Sequence, residues 1–235
     1  TTLFRSDEIE ALGSNNDILP LLAKHYQSGI HTVIGGYIFA DEKDVNNNIF
    51  QFGQGGLGLP TKDYYFKTDE ESKKIQDAYV NYITTLLTAS GVDANKAKTD
   101  AQAIFNFEKS LANASFSPVE MRDPNKMYNK FTPAQISEKT GINWAEFLTN
   151  LGATTGTDSL LVSNPKYYAE VGKQIKTATL DTWKAYLKFH LISDMAPYLS
   201  STFKDAKFGF YSQTLSGQKK QKPRWERVMG VVNGS

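Results

Sequence analysis

The residues best spaced for chemistry are glycines. Gly53, Gly55 and Gly58 reproduce G-x-G-x-x-G within Phe52-Gly53-Gln54-Gly55-Gly56-Leu57-Gly58-Leu59-Pro60. Glycine lets backbone amides approach a phosphate closely because it has no Cβ to hold the ligand away. A pyrophosphate cradle also needs a helix opening directly behind the glycines, whose dipole and free N–H groups hold the anion. Here Leu59-Pro60 follows the last glycine, and the next helical pattern begins only near Asp69. No G-K-[ST] follows, so a P-loop fails as well. The stretch is read instead as a sharp change of chain direction, followed by the aromatics Tyr64, Tyr65 and Phe66.

Metal chemistry would have to come from His25, His31 and His190, since the chain has no cysteine. None belongs to H-E-x-x-H, whose histidines must stand four apart to share a helix face. Gly29 separates His25 from His31, and His190 falls on an apolar helical stripe, as a hydrogen-bonded core histidine would. The nucleophile-elbow pattern G-x-S-x-G is absent. Glu108 stands out because it shares a helix face with Phe105, Leu111 and Ala112. A carboxylate there is either a tuned acid or base, or one neutralised by an arginine or a helix end. Arg122, in Met121-Arg122-Asp123-Pro124, is the expected partner. The basic run Lys219-Lys220-Gln221-Lys222 reads as a solvated loop. Asn113-Ala114-Ser115 and Asn233-Gly234-Ser235 have the form of glycosylation sequons. No catalytic, cofactor-binding or metal-binding residue is assigned.

The elements that must carry these residues are mainly α: a multi-helix domain with one small β-hairpin. Asn15, Asn16 or Asp17 caps a helix that runs to about Ser28, with Gly29 as its stop. Thr32 to Phe39 and Asn48 to Phe52 are β-branched and aromatic, and the polar segment between them predicts a hairpin turn. Thr68-Asp69-Glu70-Glu71 has capping-box spacing before the face Ile75, Tyr79, Tyr82, Ile83, Leu86 and Leu87. Asp93 begins the helix that carries Glu108, and Gly91 ends the one before it. Thr132-Pro133-Ala134-Gln135 is a second capping box, and Asn143 and Asn164 each precede a helix. Leu160-Leu161-Val162 reads as a brief strand. Thr179 opens the longest helix, which Pro197 stops or kinks, and Pro223 begins the last.

Composition narrows the partners. At 235 residues with net charge +1 and well-mixed signs, the chain offers no basic field for nucleic acid or anionic lipid. No run reaches the roughly 20 apolar residues of a membrane span. Thr1 stands where methionine would, which implies either a removed signal or a start inside a larger protein, and an apolar pattern runs to Val232, so both ends are expected to be cut.

Gln54-Gly55-Gly56-Leu57-Gly58-Leu59-Pro60-Thr61-Lys62-Asp63-Tyr64-Tyr65-Phe66 closely resembles a signature of the neprilysin and endothelin-converting-enzyme family of zinc metallopeptidases. Further blocks follow in the family's order: Glu108 to Ala112, Arg122-Asp123-Pro124, Tyr128 to Thr132, Asn143-Trp144, Tyr167, Leu180 to Leu187, then Pro223 to Val228 and Val232-Asn233-Gly234. The resemblance implies a two-domain enzyme around a closed cavity, in which zinc-activated water attacks a peptide carbonyl. It places this chain, residues 1–235, in the helical non-catalytic domain that caps the cavity and restricts entry to peptides. The expected partners are then the catalytic domain of the same polypeptide, which holds the zinc, and peptide substrates. The fragment alone is expected to hold no zinc site and to be inactive. Asn113-Ala114 is followed by Ser115, where the family's substrate-binding motif has an aromatic. Val228 stands where vertebrate members have a cysteine, which implies a bacterial relative in the periplasm or outside the cell. The alternative is a stand-alone helical peptide-binding or protein-interaction module without catalysis.

Overall fold

Helices follow one another along most of the chain. In order, the elements are α1 (Thr2–Glu10), α2 (Ile18–Gln27), β1 (Gly35–Asp41), β2 (Asp44–Gly53), α3 (Glu70–Ala89), α4 (Ala94–Ala114), α5 (Pro124–Met127) and β3 (Lys130–Phe131). After these come α6 (Pro133–Thr140), α7 (Trp144–Asn150), β4 (Leu160–Val162), α8 (Pro165–Thr177), α9 (Leu180–Met195), α10 (Ser201–Lys207) and α11 (Arg224–Val232). The computed structural model describes residues 2–153 and 155–232. The second sequon, at Asn233, lies outside the described residues. The mainly α expectation holds.

Helix starts follow the capping residues. Asp93 accepts from the N–H groups of Asn95 and Lys96 at 2.9 and 3.0 Å to open α4. Thr132 and Gln135 form the reciprocal box of α6, and Gly141 ends that helix at φ +69°. One expected box is displaced. Asp69, not Thr68, caps α3, accepting from Ser72 N–H at 2.9 Å and its hydroxyl at 2.8 Å. A carboxylate outcompetes a hydroxyl at the positive end of the helix dipole. The polar run before α2 also differs, since Asn15–Asp17 makes a 3-10 turn first and Asp17 folds back onto the N–H groups of Gly13 and Ser14. The helix opened by Thr179, α9, is not the longest: it has 16 residues against 20 in α3 and 21 in α4. At its far end Pro197 acts as expected, and Ala196–Tyr198 tightens into a 3-10 turn.

The hairpin is longer than its sequence pattern and is part of a larger sheet. Strand order is β1-β2-β4-β3, with β1/β2 and β3/β4 antiparallel and β2/β4 parallel. The segment expected to be a polar turn is mostly strand: Asn48 pairs with Ala40, and Asp41 pairs with Asp44 beyond a bulge. Asp41 explains the tight turn. Its carboxylate is 1% exposed and accepts from Lys130 Nζ at 2.7 Å, Tyr128 Oη at 2.8 Å and Lys43 N–H at 3.0 Å. On the inner face, Phe52 meets Trp144 with ring centroids 4.9 Å apart, which seats the sheet against α7. Leu160 and Val162 are buried beside it.

Lys130, then the Lys43 amide, hold the Asp41 carboxyl down to about 2, from an ordinary value of 3.8. A depressed folded-state pKa contributes stability that is present above the unfolded value and lost as pH falls through the folded one. Urea midpoints of the wild type should therefore drop between pH 4 and pH 2. Asp41→Asn should be less stable at pH 7, by about 1–3 kcal/mol, and should show a flatter loss across that acid range. An unchanged acid slope in the variant would contradict this role.

Candidate functional site

Glu108 lies at the centre of the fold on the inner face of α4 and is fully buried. Its Oε2 accepts from Tyr65 Oη at 2.7 Å and Tyr79 Oη at 2.8 Å. His190 Nε2, from α9, stands 2.7 Å from Oε1, and Gly58 N–H points at Oε2 from 3.4 Å. Burial, and then the neighbouring Glu108, push both tyrosine hydroxyls well above their ordinary values, so they remain protonated donors. The expected partner Arg122 does not take part. It sits in the turn Glu120–Arg122 by the sheet, whereas the buried face of α4 looks toward α3 and α9. The reading of His190 as a hydrogen-bonded core histidine is correct.

The glycine stretch wraps over this carboxylate with its carbonyls, not its amides, turned to donors. Tyr168 and Tyr167 donate to the carbonyls of Gly53 and Gly55 at 2.5 and 2.9 Å. Tyr186 and Tyr211 donate to those of Gly56 and Gly58, each at 2.9 Å. Gly56 takes φ +68°, and a Cβ there would stand 2.6 Å from Tyr186 Oη. At Gly58 a Cβ would overlap the Tyr79 hydroxyl. No helix opens behind the loop, only the 3-10 turn Lys62–Tyr65. The stretch is a corner fixed by aromatics, as its sequence predicts, and a phosphate would meet carbonyl oxygens there.

Most of those aromatics come from distant segments. Tyr79 and Tyr186 are legible as members of apolar helical faces, but Tyr168 and Tyr211 are not identifiable as loop anchors before the fold brings them in. The available signal is chemical: a tyrosine on a buried face needs an acceptor for its hydroxyl. A loop of glycines supplies unshielded carbonyls.

Above the corner, His31, Gly58, His190, Asp194 and Lys207 line an open groove of about 440 Å³. His31 Nδ1 is 3.3 Å from Asp194 Oδ2, and His31 is largely exposed. His25 is buried on α2. Among the described residues, no group of three or more His, Asp or Glu side chains could hold a metal ion. With the Glu108 oxygens engaged by tyrosines and His190, these residues do not fit a zinc site. The Lys219–Lys222 run is largely exposed, as expected of a solvated loop.

The profile of peptidase family M13, in its N-terminal portion, matches residues 5–235. The chain belongs to that family. It is 29% identical to endothelin-converting enzyme 1 of Cavia porcellus over 215 residues, covering 89% of this chain and 28% of that protein. Human neprilysin is 25% identical over 225 residues, covering 88% of this chain and 30% of its own length. The chain thus spans less than a third of these curated relatives. Among solved structures, a Mycobacterium tuberculosis zinc metalloprotease bound to an inhibitor superposes with TM-score 0.90 and 27% identity, over 98% of this chain and 35% of the other. The PepO structure from Lactobacillus shares the fold, with TM-score 0.81 at 20% identity. The family resemblance carried by the glycine stretch is correct.

Two substitutions test the corner. Gly56→Val adds a β-branched side chain at positive φ against Tyr186 and should lower stability by about 2–4 kcal/mol in urea titrations. Normal stability would rule out the corner role. Glu108→Gln turns an amide nitrogen toward hydroxyl and imidazole donors and should cost about 2–4 kcal/mol by the same measurement.

Proposed function

We propose that this chain is the helical non-catalytic domain of a zinc metalloendopeptidase, forming part of the wall of an internal cavity that admits peptides and excludes folded proteins. The observation that carries this reading is the superposition of nearly the whole chain on about a third of a zinc metalloprotease. Family membership supports peptide hydrolysis by the parent enzyme. The zinc and the hydrolytic step belong, on this reading, to the catalytic domain of the same polypeptide, which is this domain's partner. A rigid helical frame braced by buried polar contacts suits a wall that must exclude bulk without deforming. The exposed stripe Trp225, Val228 and Met229 on α11 supplies apolar surface for contact with further chain. Among the described residues, no helix is long and apolar enough to cross a membrane. A periplasmic or extracellular setting, where peptides are the substrates at hand, accompanies this proposal.

The coding sequence downstream of Ser235 should contain H-E-x-x-H. The chain alone should leave a quenched fluorescent peptide intact, while the chain joined to that downstream region should cleave it in the presence of zinc and spare folded casein-sized proteins. Absence of the motif, or zinc-dependent cleavage by the isolated chain, would overturn the reading.

A further inference from the structure

The outer face of the sheet holds a cleft that the reading above does not use. Side chains alternate along strands, so Phe52, Leu160 and Val162 turn to the core while Gln51 and Leu161 turn outward, with Ser163 just beyond β4. The turn Glu120–Arg122 and α5 lie over that outer face and leave a cleft of about 420 Å³ between them and the hairpin. This is within the size range of sites that enclose a small ligand or a few residues of peptide. Its walls combine aromatic and thioether groups, Tyr37 from β1 with Met121 and Met127 from the overlying segment. Methionine side chains adapt to varied apolar shapes. Tyr37 is 60% and Met121 44% exposed, so the apolar lining is open to an incoming chain.

Two donors in this lining have no protein acceptor. Ser163 Oγ is buried and, among the described residues, has no hydrogen-bond partner. Gly53 leaves room beside it, where a Cβ would stand in van der Waals contact with that oxygen at 3.9 Å. Arg122 lines the same cleft and, among the described residues, forms no ion pair. The lysine near it in sequence, Lys126, faces Glu120, and the Asp123 carboxylate is occupied in capping α5. Glu42, on the hairpin turn, is the one acidic lining residue. A buried hydroxyl without a partner is destabilising, and a guanidinium presents five donors suited to a carboxylate.

We propose that this cleft is a peptide-anchoring site that takes an extended segment with an apolar side chain beside a carboxylate. The apolar group sits among Tyr37, Met121 and Met127, and the carboxylate accepts from Arg122 and, once the Ser163 side chain rotates to turn its hydroxyl into the cleft, from Ser163. Glu42 faces the amide or ammonium end of the segment and disfavours a second acidic residue there. The choice of peptide as the ligand class rests on the proposed peptidase reading, whereas binding itself is a property of this chain.

Calorimetric titration of the chain with acetyl-Gly-Phe-Leu-Glu-amide tests it, alongside the same peptide ending in Gln-amide. The expected result is saturable binding of the acidic peptide, weakened about tenfold or more by the Gln ending, as loss of a charge-assisted hydrogen bond implies. Arg122→Glu should weaken binding by a similar factor and Arg122→Lys by less. Lys219→Ala should leave it unchanged, with circular dichroism confirming that each variant is folded. Equal affinity for both peptides, absence of saturation, or indifference to Arg122→Glu would overturn the proposal. So would concentration-dependent dimerisation abolished by Arg122→Glu, because a second copy would then occupy the cleft. None of these outcomes bears on the downstream H-E-x-x-H motif, so the two readings fail separately.

Discussion

A fully buried carboxylate constrains the rest of this fold. Glu108 can be left out of water only if donors take the place of its hydration, and a lone charge in the interior would cost far more than any single packing contact returns. Four donors surround it here, two tyrosines, one histidine and one backbone amide. They come from the turn after the glycine corner, from α3, from α9 and from the corner itself. The relative placement of three helices and a loop is thus fixed by the geometry of one side chain. Residues around it, such as Phe189 and Phe210 against Tyr79, fill the space that this geometry leaves.

The tyrosine hydroxyls extend the same logic outward. Each buried phenol needs an acceptor, and the glycine carbonyls are accessible because no side chain shields them. The corner therefore joins the sheet to the helices by hydrogen bonds that are directional, where the surrounding aromatic contacts are not. Gly56 is required twice, for its positive φ and for the space that Tyr186 occupies, whereas Gly58 is required for the space that Tyr79 occupies.

Much of this was legible in the sequence where the signal is local. Caps such as Asp93, Thr132 and Thr179, stops such as Gly141, and the rejection of a phosphate cradle through Pro60 depend on a few neighbouring residues. The buried position of Glu108 and the core role of His190 followed from helical periodicity. What periodicity could not give was the partner. Arg122 is near Glu108 in the chain, but a helix places its inner face toward other helices, and the donors arrived from positions 65, 79 and 190. The sheet shows the same limit. A three-residue strand such as Leu160–Val162 has no meaning until the strand it pairs with is known, and the turn of the hairpin was misread because the Asn-rich run looks like a loop. The segment from Ser201 to Thr214, which supplies Tyr211, carried no readable cap or period; α10 runs on into a π-helical stretch, Phe208–Thr214, whose spacing departs from the 3.6-residue repeat.

The parallel pairing of β2 with β4 carries a consequence for how this chain is made. Phe50 meets Leu160, about 110 residues later, so the hairpin cannot gain its third strand until about two-thirds of the chain has been synthesised. At typical elongation rates that interval is about 5–20 s. Through it, Phe50 and Phe52 lack the neighbours that cover them in the finished fold, and the edge of β2 that later pairs with β4 stays open. The nascent chain thus presents a sticky edge for seconds, and chaperone capture during that window becomes a natural determinant of its yield.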